Sequence, residues 1–140
     1  MTTGIPGTTA RKMTGQLVHY LRFKVAFGDA ATAVALLKQT LPLGAIILRA
    51  SLVKTTAWNS ATSAALSVGL VGGTGAELIS AADVKTATGL VAGTLSAGAL
   101  APLTADTQVQ ASVAFVGAPT AGAAYVVIEY VNDNDLNVGQ

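Results

Sequence analysis

The stretch IILRASLV, residues 46–53, alternates without interruption. Ile46, Leu48, Ala50 and Leu52 stand against Ile47, Arg49, Ser51 and Val53. Period-two alternation is the mark of a β-strand, because successive side chains of an extended chain point to opposite faces. The turn before it, Pro42 with Gly44, supplies a preset φ and a residue free to take positive φ. Upstream, residues 16–27 repeat the pattern, with Leu17, Leu21, Phe23, Val25 and Phe27 on one face and Tyr20, Arg22 and Lys24 on the other. Downstream, Leu66, Val68 and Leu70 share a face within 64–71, and Val109, Ala111, Val113 and Phe115 alternate within 107–116. Residues 123–131, AAYVVIEYV, are apolar on both faces over Tyr125–Ile128, which suits a central or interface strand.

Between these strands the chain reads less regularly. Residues 31–39 fit either a short helix or a strand, and 89–104 are only weakly strand-like. Gly72, Gly73 and Gly75 end the strand at 64–71. Thr74 and Glu77 have the spacing of a capping box, so a short helix is expected over Leu78, Ile79 and Ala82 to about Thr86. The count of six to eight short strands with Gly, Pro and Asn turns predicts an all-β sandwich, barrel or jelly roll. Jelly-roll and immunoglobulin-like topologies are both compatible with it. The expected organisation is a flexible basic arm over 1–15, one β domain over 16–131 and a polar tail over 132–140.

Composition narrows the function. Only 11% of the 140 residues are charged, against about 25% in an ordinary soluble domain, and 51% are hydrophobic. A surface so poor in charge means either that the protein is poorly soluble or that much of its outside is covered by something else. Disorder requires low hydrophobicity and high net charge, whereas the net charge here is +1. The absence of Cys removes disulfides, thiolate metal sites and cysteine nucleophiles. The first fifteen residues lack the apolar core of a signal peptide, so a cytoplasmic origin is expected. The charge-free windows 55–76, 86–105 and 107–128 are too interrupted by polar residues and Gly for a spanning helix, and no membrane association is expected.

Catalytic and cofactor signals are sparse. The single His19 reads as a general base or, preferably, as a hydrogen-bonded strand residue, and no nucleophile-elbow motif accompanies it. Asp133 and Asp135 echo the first spacing of a calcium loop, but its Gly and Glu are missing. The glycines at 72, 73 and 75 lack the Gly-Lys of a phosphate loop. No enzyme, metal or cofactor is therefore expected.

The charges are sorted along the chain. Residues 1–54 hold seven of the eight bases and one acid, a net of +6; residues 55–140 hold Lys85 and six acids, a net of −5. Such sorting attracts polyanions, joins complementary protein surfaces, or mixes when the two halves interleave. The aromatic residues form no stacking platform. Trp58, beside a turn, reads either as an interface anchor or as a plug closing the end of the core.

Residues 31–59, ATAVALLKQTLPLGAIILRASLVKTTAWN, resemble small structural proteins encoded near the capsid genes of tailed bacteriophages. The resemblance lies in Leu41-Pro42-Leu43-Gly44-Ala45, the strand Ile46–Lys54 and the turn Thr56-Ala57-Trp58-Asn59, where aromatic residues other than Trp are more usual at position 58. It continues through AALSVGLVGGTGAELISAADVKTATG (64–89) and covers about residues 16–131. It implies a capsid cement, or decoration, protein with a jelly-roll-like fold, made in the host cytoplasm, docked on the capsid exterior of the virion and dimeric. Its partners would then be the major capsid protein and a second copy of itself, with no direct nucleic-acid contact. No functional residue carries across; only the Pro42–Gly44 turn does, and its role is structural. The expected capsid contacts are the basic arm (Arg11, Lys12), the exposed strand face (Arg22, Lys24), Trp58 and Tyr125. The other function considered is a receptor- or carbohydrate-binding module of a phage tail fibre or baseplate.

Overall fold

The structure, a computed structural model, describes residues 18–29 and 34–131. Among them the chain forms eight strands: β1 (His19–Ala26), β2 (Leu36–Leu41), β3 (Ile46–Thr56), β4 (Ser63–Leu70), β5 (Ile79–Asp83), β6 (Gly89–Ala92), β7 (Thr107–Val116) and β8 (Ala123–Val131). They assemble into two antiparallel four-stranded sheets, ordered β1-β8-β3-β6 and β2-β7-β4-β5. The first strand pairs with the last, the second with the seventh, the third with the sixth and the fourth with the fifth. A chain doubled back on itself in this way and wound into two facing sheets is a jelly roll, and the wound topology excludes the immunoglobulin-like alternative. No helix of the described residues is long and apolar enough to cross a membrane.

Alternation places the core. Leu21, Phe23 and Val25 of β1, with Ala124, Val126 and Ile128 of β8, face Leu66 and Val68 of β4 and Val109, Ala111 and Val113 of β7. These are mostly β-branched or small side chains, which pack well on a pleated surface. β8 lies between β1 and β3 and is bonded on both edges, in keeping with its two apolar faces. The ambiguous 31–39 region contributes β2 from Leu36.

Two expectations are corrected. In β3 the register shifts between Ile47 and Arg49, a bulge that inserts one unpaired residue and reverses which side chains face inward. Ile47 is therefore buried ahead of the bulge and Ala50 and Leu52 after it, while Ile46 and Leu48 face solvent. The helix expected over Leu78–Thr86 is instead β5. Leu78 donates its N–H to the Val68 carbonyl at 3.0 Å and Val84 to the Ala64 carbonyl at 3.0 Å, which holds the segment against β4 as a strand. Helical structure among the described residues is confined to one 3-10 turn, Phe27–Asp29.

The Thr74–Glu77 spacing has a different use. Glu77 is 3% exposed, and its carboxylate gathers the backbone of its own loop. Oε2 accepts from the N–H groups of Leu70 and Gly75, both at 3.1 Å. Oε1 accepts from the Thr74 N–H and, at 3.0 Å, from the Thr74 hydroxyl. The carboxylate fits because Gly69 and Gly73 flank it; a Cβ at either position would overlap its oxygens. Burial alone would raise this carboxyl, but the hydrogen bonds from Leu70 and Thr74 hold it below the usual carboxylate range. At the other end of β5, the Lys54 ammonium donates to the Asp83 carbonyl at 3.0 Å and ties β3 to β5.

Glu77→Gln replaces an acceptor oxygen by a donor facing N–H groups. Denaturant titration of this variant should show a loss of about 1–3 kcal/mol, the cost of leaving buried donors unpaired. Because the folded carboxyl lies below its unfolded value, its contribution is in place above about pH 4.3 and is lost as pH falls through the folded value. The wild type should therefore lose more stability on acidification toward pH 3 than the Gln variant, as thermal melts across that range would record.

Candidate functional site

The antiparallel register of β1 on β8 sets Lys24 opposite Tyr125 and Tyr20 opposite Glu129. On the outer face of the β1-β8-β3-β6 sheet this assembles Tyr20, Arg22, Lys24, Tyr125, Glu129 and Arg49. The Arg22 guanidinium lies over the Tyr125 ring, 5.1 Å from its centroid, a cation–π arrangement. Arg49 makes a two-pronged ion pair with Glu129, each bond 2.7 Å. The hydrogen bond raises the Arg49 pKa and lowers that of Glu129. This is the one salt bridge among the described residues.

The remaining acids are engaged with backbone. Asp29 accepts from the Ala26 N–H, Asp106 from the Leu43 N–H, and Glu77 from its loop. Asp83 accepts from the Thr86 hydroxyl at 2.7 Å and the Lys85 N–H at 2.8 Å, which together lower its pKa. Strands from the two halves of the chain interleave in both sheets, yet the charge is not cancelled everywhere. Each described carboxylate ties a turn or pairs with Arg49, and Arg22 and Lys24 stand exposed on the outer face. The opposite outer face, on β7 and β4, presents Gln108, Gln110, Ser112, Ala114, Ala65 and Ser67 with no charged side chain.

Of the residues expected to make contacts, Arg22, Lys24 and Tyr125 come together. Arg11 and Lys12 lie outside the described residues, as do Asp133 and Asp135. Trp58 is elsewhere: it is 1% exposed and packs at the end of the core, where a Cβ on Gly122 would overlap its ring. Its backbone N–H reaches the Val84 carbonyl at 2.9 Å. The Asn59 side chain latches the facing turn, accepting from the N–H groups of Thr120 and Ala121 and donating to the Thr120 hydroxyl. Trp58 thus plugs the core and offers no surface for a partner, which corrects its expected role as a contact residue. Two exposed apolar side chains join the outer face: Tyr20, 71% exposed, and Leu90 of β6, 70% exposed. Tyr20 was legible from its i, i+2 spacing with Arg22; Leu90 sits on a strand too short to show a period.

Among the described residues no catalytic set forms around His19, whose ring lies against Tyr130 at 5.6 Å between centroids. Among the described residues no three His, Cys, Asp or Glu side chains converge as metal ligands.

No protein-family model matches the chain, and no curated protein matches it. Solved structures do. A chain of the cyanophage Pam1 capsid asymmetric unit is 27% identical with a TM-score of 0.72, covering 89% of this chain and 91% of that one. A chain of the capsid of Ralstonia phage GP4 is 22% identical at 0.61, covering 94% of each. One from the acid-stable capsid of Helicobacter pylori bacteriophage KHP30 is 15% identical at 0.60, covering 84% of this chain and 90% of that one. The latter two likenesses speak to the fold alone. Fold and likeness together define a phage capsid-related protein, structural and all-β, with a virion location.

The contrast between plug and surface is measurable. Trp58→Ala should cost about 3–5 kcal/mol in a denaturant titration, whereas Arg22→Ala should stay within about 0.5 kcal/mol of wild type, as exposed positions do.

Proposed function

We propose that the protein binds the outside of a phage capsid and stabilises it by bridging major capsid protein subunits. The observation that carries this reading is the outer face of the β1-β8-β3-β6 sheet, where Arg22 and Lys24 stand exposed with Tyr20 and Tyr125, and where the described acid, Glu129, is paired with Arg49. Such a face suits an acidic protein surface. The basic arm with Arg11 and Lys12 adds a second point of attachment on the same chain. Cementing requires no chemistry. An interface of about 1,600 Å² is a standard specific one, and two linked contacts on neighbouring subunits reinforce each other through effective concentration. The likeness to capsid chains supports the reading, and so does the scarcity of charge on the opposite face, which suits burial against protein.

A receptor- or carbohydrate-binding module has less support. Tyr125 is covered by Arg22 and Trp58 is in the core, so the described surface offers little aromatic platform for a sugar.

Binding to purified shells lacking this protein, followed by co-sedimentation, tests the proposal. Wild type should pellet with shells and weaken as salt rises. Arg22→Glu with Lys24→Glu should reduce affinity about tenfold or more, and deletion of residues 1–12 should weaken attachment as well. Full-strength binding by both variants, or no binding by wild type, overturns it.

A further inference from the structure

Two segments meet at one end of the sandwich. The loop Val71–Ala76 follows β4, and the crossover Gly93–Asp106 carries the chain from β6 to β7, from one sheet to the other. A shallow cleft between them is lined by Leu70, Val71, Gly98, Pro102 and Leu103, with Glu77 at its side. Glu77 holds both segments. Its carboxylate gathers the loop, and its main-chain carbonyl accepts from the Ser96 N–H of the crossover at 2.9 Å. Gly93 runs so close to Leu78 that a Cβ there would overlap the Leu78 carbonyl, and a Cβ at Gly98 would touch Glu77 Cγ. Among the described residues, the next backbone hydrogen bonds from the crossover to another element are those of Leu103 with Gly44 and Ala45.

The carboxylate does this only while ionised. It offers about four lone-pair sites, and the N–H groups of Leu70, Thr74 and Gly75 with the Thr74 hydroxyl occupy them. A proton on either oxygen must displace one of these donors. Charged neighbours are scarce. Residues 55–76 and 86–105 carry no charge at all. Among the described residues, β4 turns Gly69 and Leu70 toward Glu77, the crossover turns Ser96 and Gly98, and β7 brings Thr107 and Gln110 to the same loop; none of them titrates. Asp106, at the foot of the crossover, is engaged by the Leu43 N–H at 2.8 Å. Asp83 and Lys85 lie at and beyond the other end of β5.

We propose that Glu77 is an acid-released clasp: on its protonation the loop Val71–Ala76 and the crossover segment Thr94–Pro102 open together, while the two sheets stay paired. The opening is confined because the ladders of the sheets do not pass through Glu77. β4 pairs with β7 from Ser63↔Val116 to Leu70↔Val109, and β1 with β8 from His19↔Tyr130 to Ala26↔Ala123. Segments held by few backbone bonds open as units at lower cost than strands of the core. The sign follows from linkage. In the open form the carboxyl returns to its ordinary value near 4.3; in the closed form its hydrogen bonds hold it lower. The clasp is therefore fully in place above about pH 4.3 and weakens as pH falls from there to the folded value. Opening uncovers Leu95 and Ala99, which pack on the core, so acid turns a neutral end of the protein into an apolar one.

Amide hydrogen exchange of the full-length protein, read by NMR at pH values from 6 to 3 as protection relative to the free-chain rate, tests the clasp. Ser96 is the decisive probe, because its N–H meets the main chain of Glu77 and not the carboxylate. Below about pH 4.3 protection at Thr74, Gly75 and Ser96 should fall together, by up to tenfold per pH unit, while Phe23 and Val126 in the β1–β8 ladder stay protected. Thr74→Ala removes one donor to the carboxylate and should shrink the total fall about threefold. Glu77→Gln should leave the three amides weakly protected already at pH 6, with no further change on acidification; the wild type and Thr74→Ala decide the matter if that variant does not fold. Asp106→Asn loosens the turn at Leu43 instead and should keep the wild-type fall. Absence of any fall down to pH 3 overturns the proposal, as does Ser96 keeping its protection while Thr74 and Gly75 lose theirs. A fall that persists in Glu77→Gln or vanishes in Asp106→Asn, or simultaneous loss at Phe23 and Val126, also overturns it.

Discussion

The pairing of the first strand with the last organises this molecule. β8 is bonded to β1 on one side and to β3 on the other, so it must be apolar toward the core and tolerant of neighbours on both edges. AAYVVIEYV meets both demands. That one placement brings Tyr125 under Arg22, sets Glu129 within reach of Arg49, and leaves β1 as an outer edge. The basic face depends on it.

A chain with few charges uses them selectively. The described carboxylates, Glu129 excepted, accept from backbone N–H groups at turns, where an ionised acceptor makes a stronger hydrogen bond than a neutral one. Exposed ion pairing would contribute little. Because the described acids are held at turns or paired with Arg49, the cations on β1 keep their charge in the open. Among the described residues, the polarity along the chain, positive early and negative late, thereby becomes a division between exposed cations on β1 and carboxylates engaged in turns or, for Glu129, with Arg49. The uncharged faces of β4 and β7 complete the division.

How far the architecture could be read in advance varied with the element, for physical reasons. β1, β4, β7 and β8 alternate in phase with their burial, so their inner and outer residues followed from period two. In β3 the strand was evident, but the phase was not. A bulge after Ile47 is dictated by pairing with β8 and leaves no local mark in IILRASLV. The stretch around Glu77 misled because a hydroxyl and a carboxylate three residues apart satisfy free N–H groups equally well at a helix start and in a glycine loop. Pairing with β4 decided for the loop and a strand. Trp58 was ambiguous for a similar reason: a large side chain beside a turn can point either way, and the room above Gly122 turns it inward.

By itself the sequence determined the all-β class, the absence of thiol chemistry, the scarcity of charge and the alternation that places Arg22 and Lys24 on one strand face. These properties are local: each is written in residues a few positions apart. The winding of the strands, the burial of Glu77 and Trp58 and the meeting of Arg22 with Tyr125 were decided only by tertiary structure. Each arises from partners tens of residues distant, and hydrogen-bond register between such partners is fixed by the assembled sheets and their shared core rather than by any short stretch of chain.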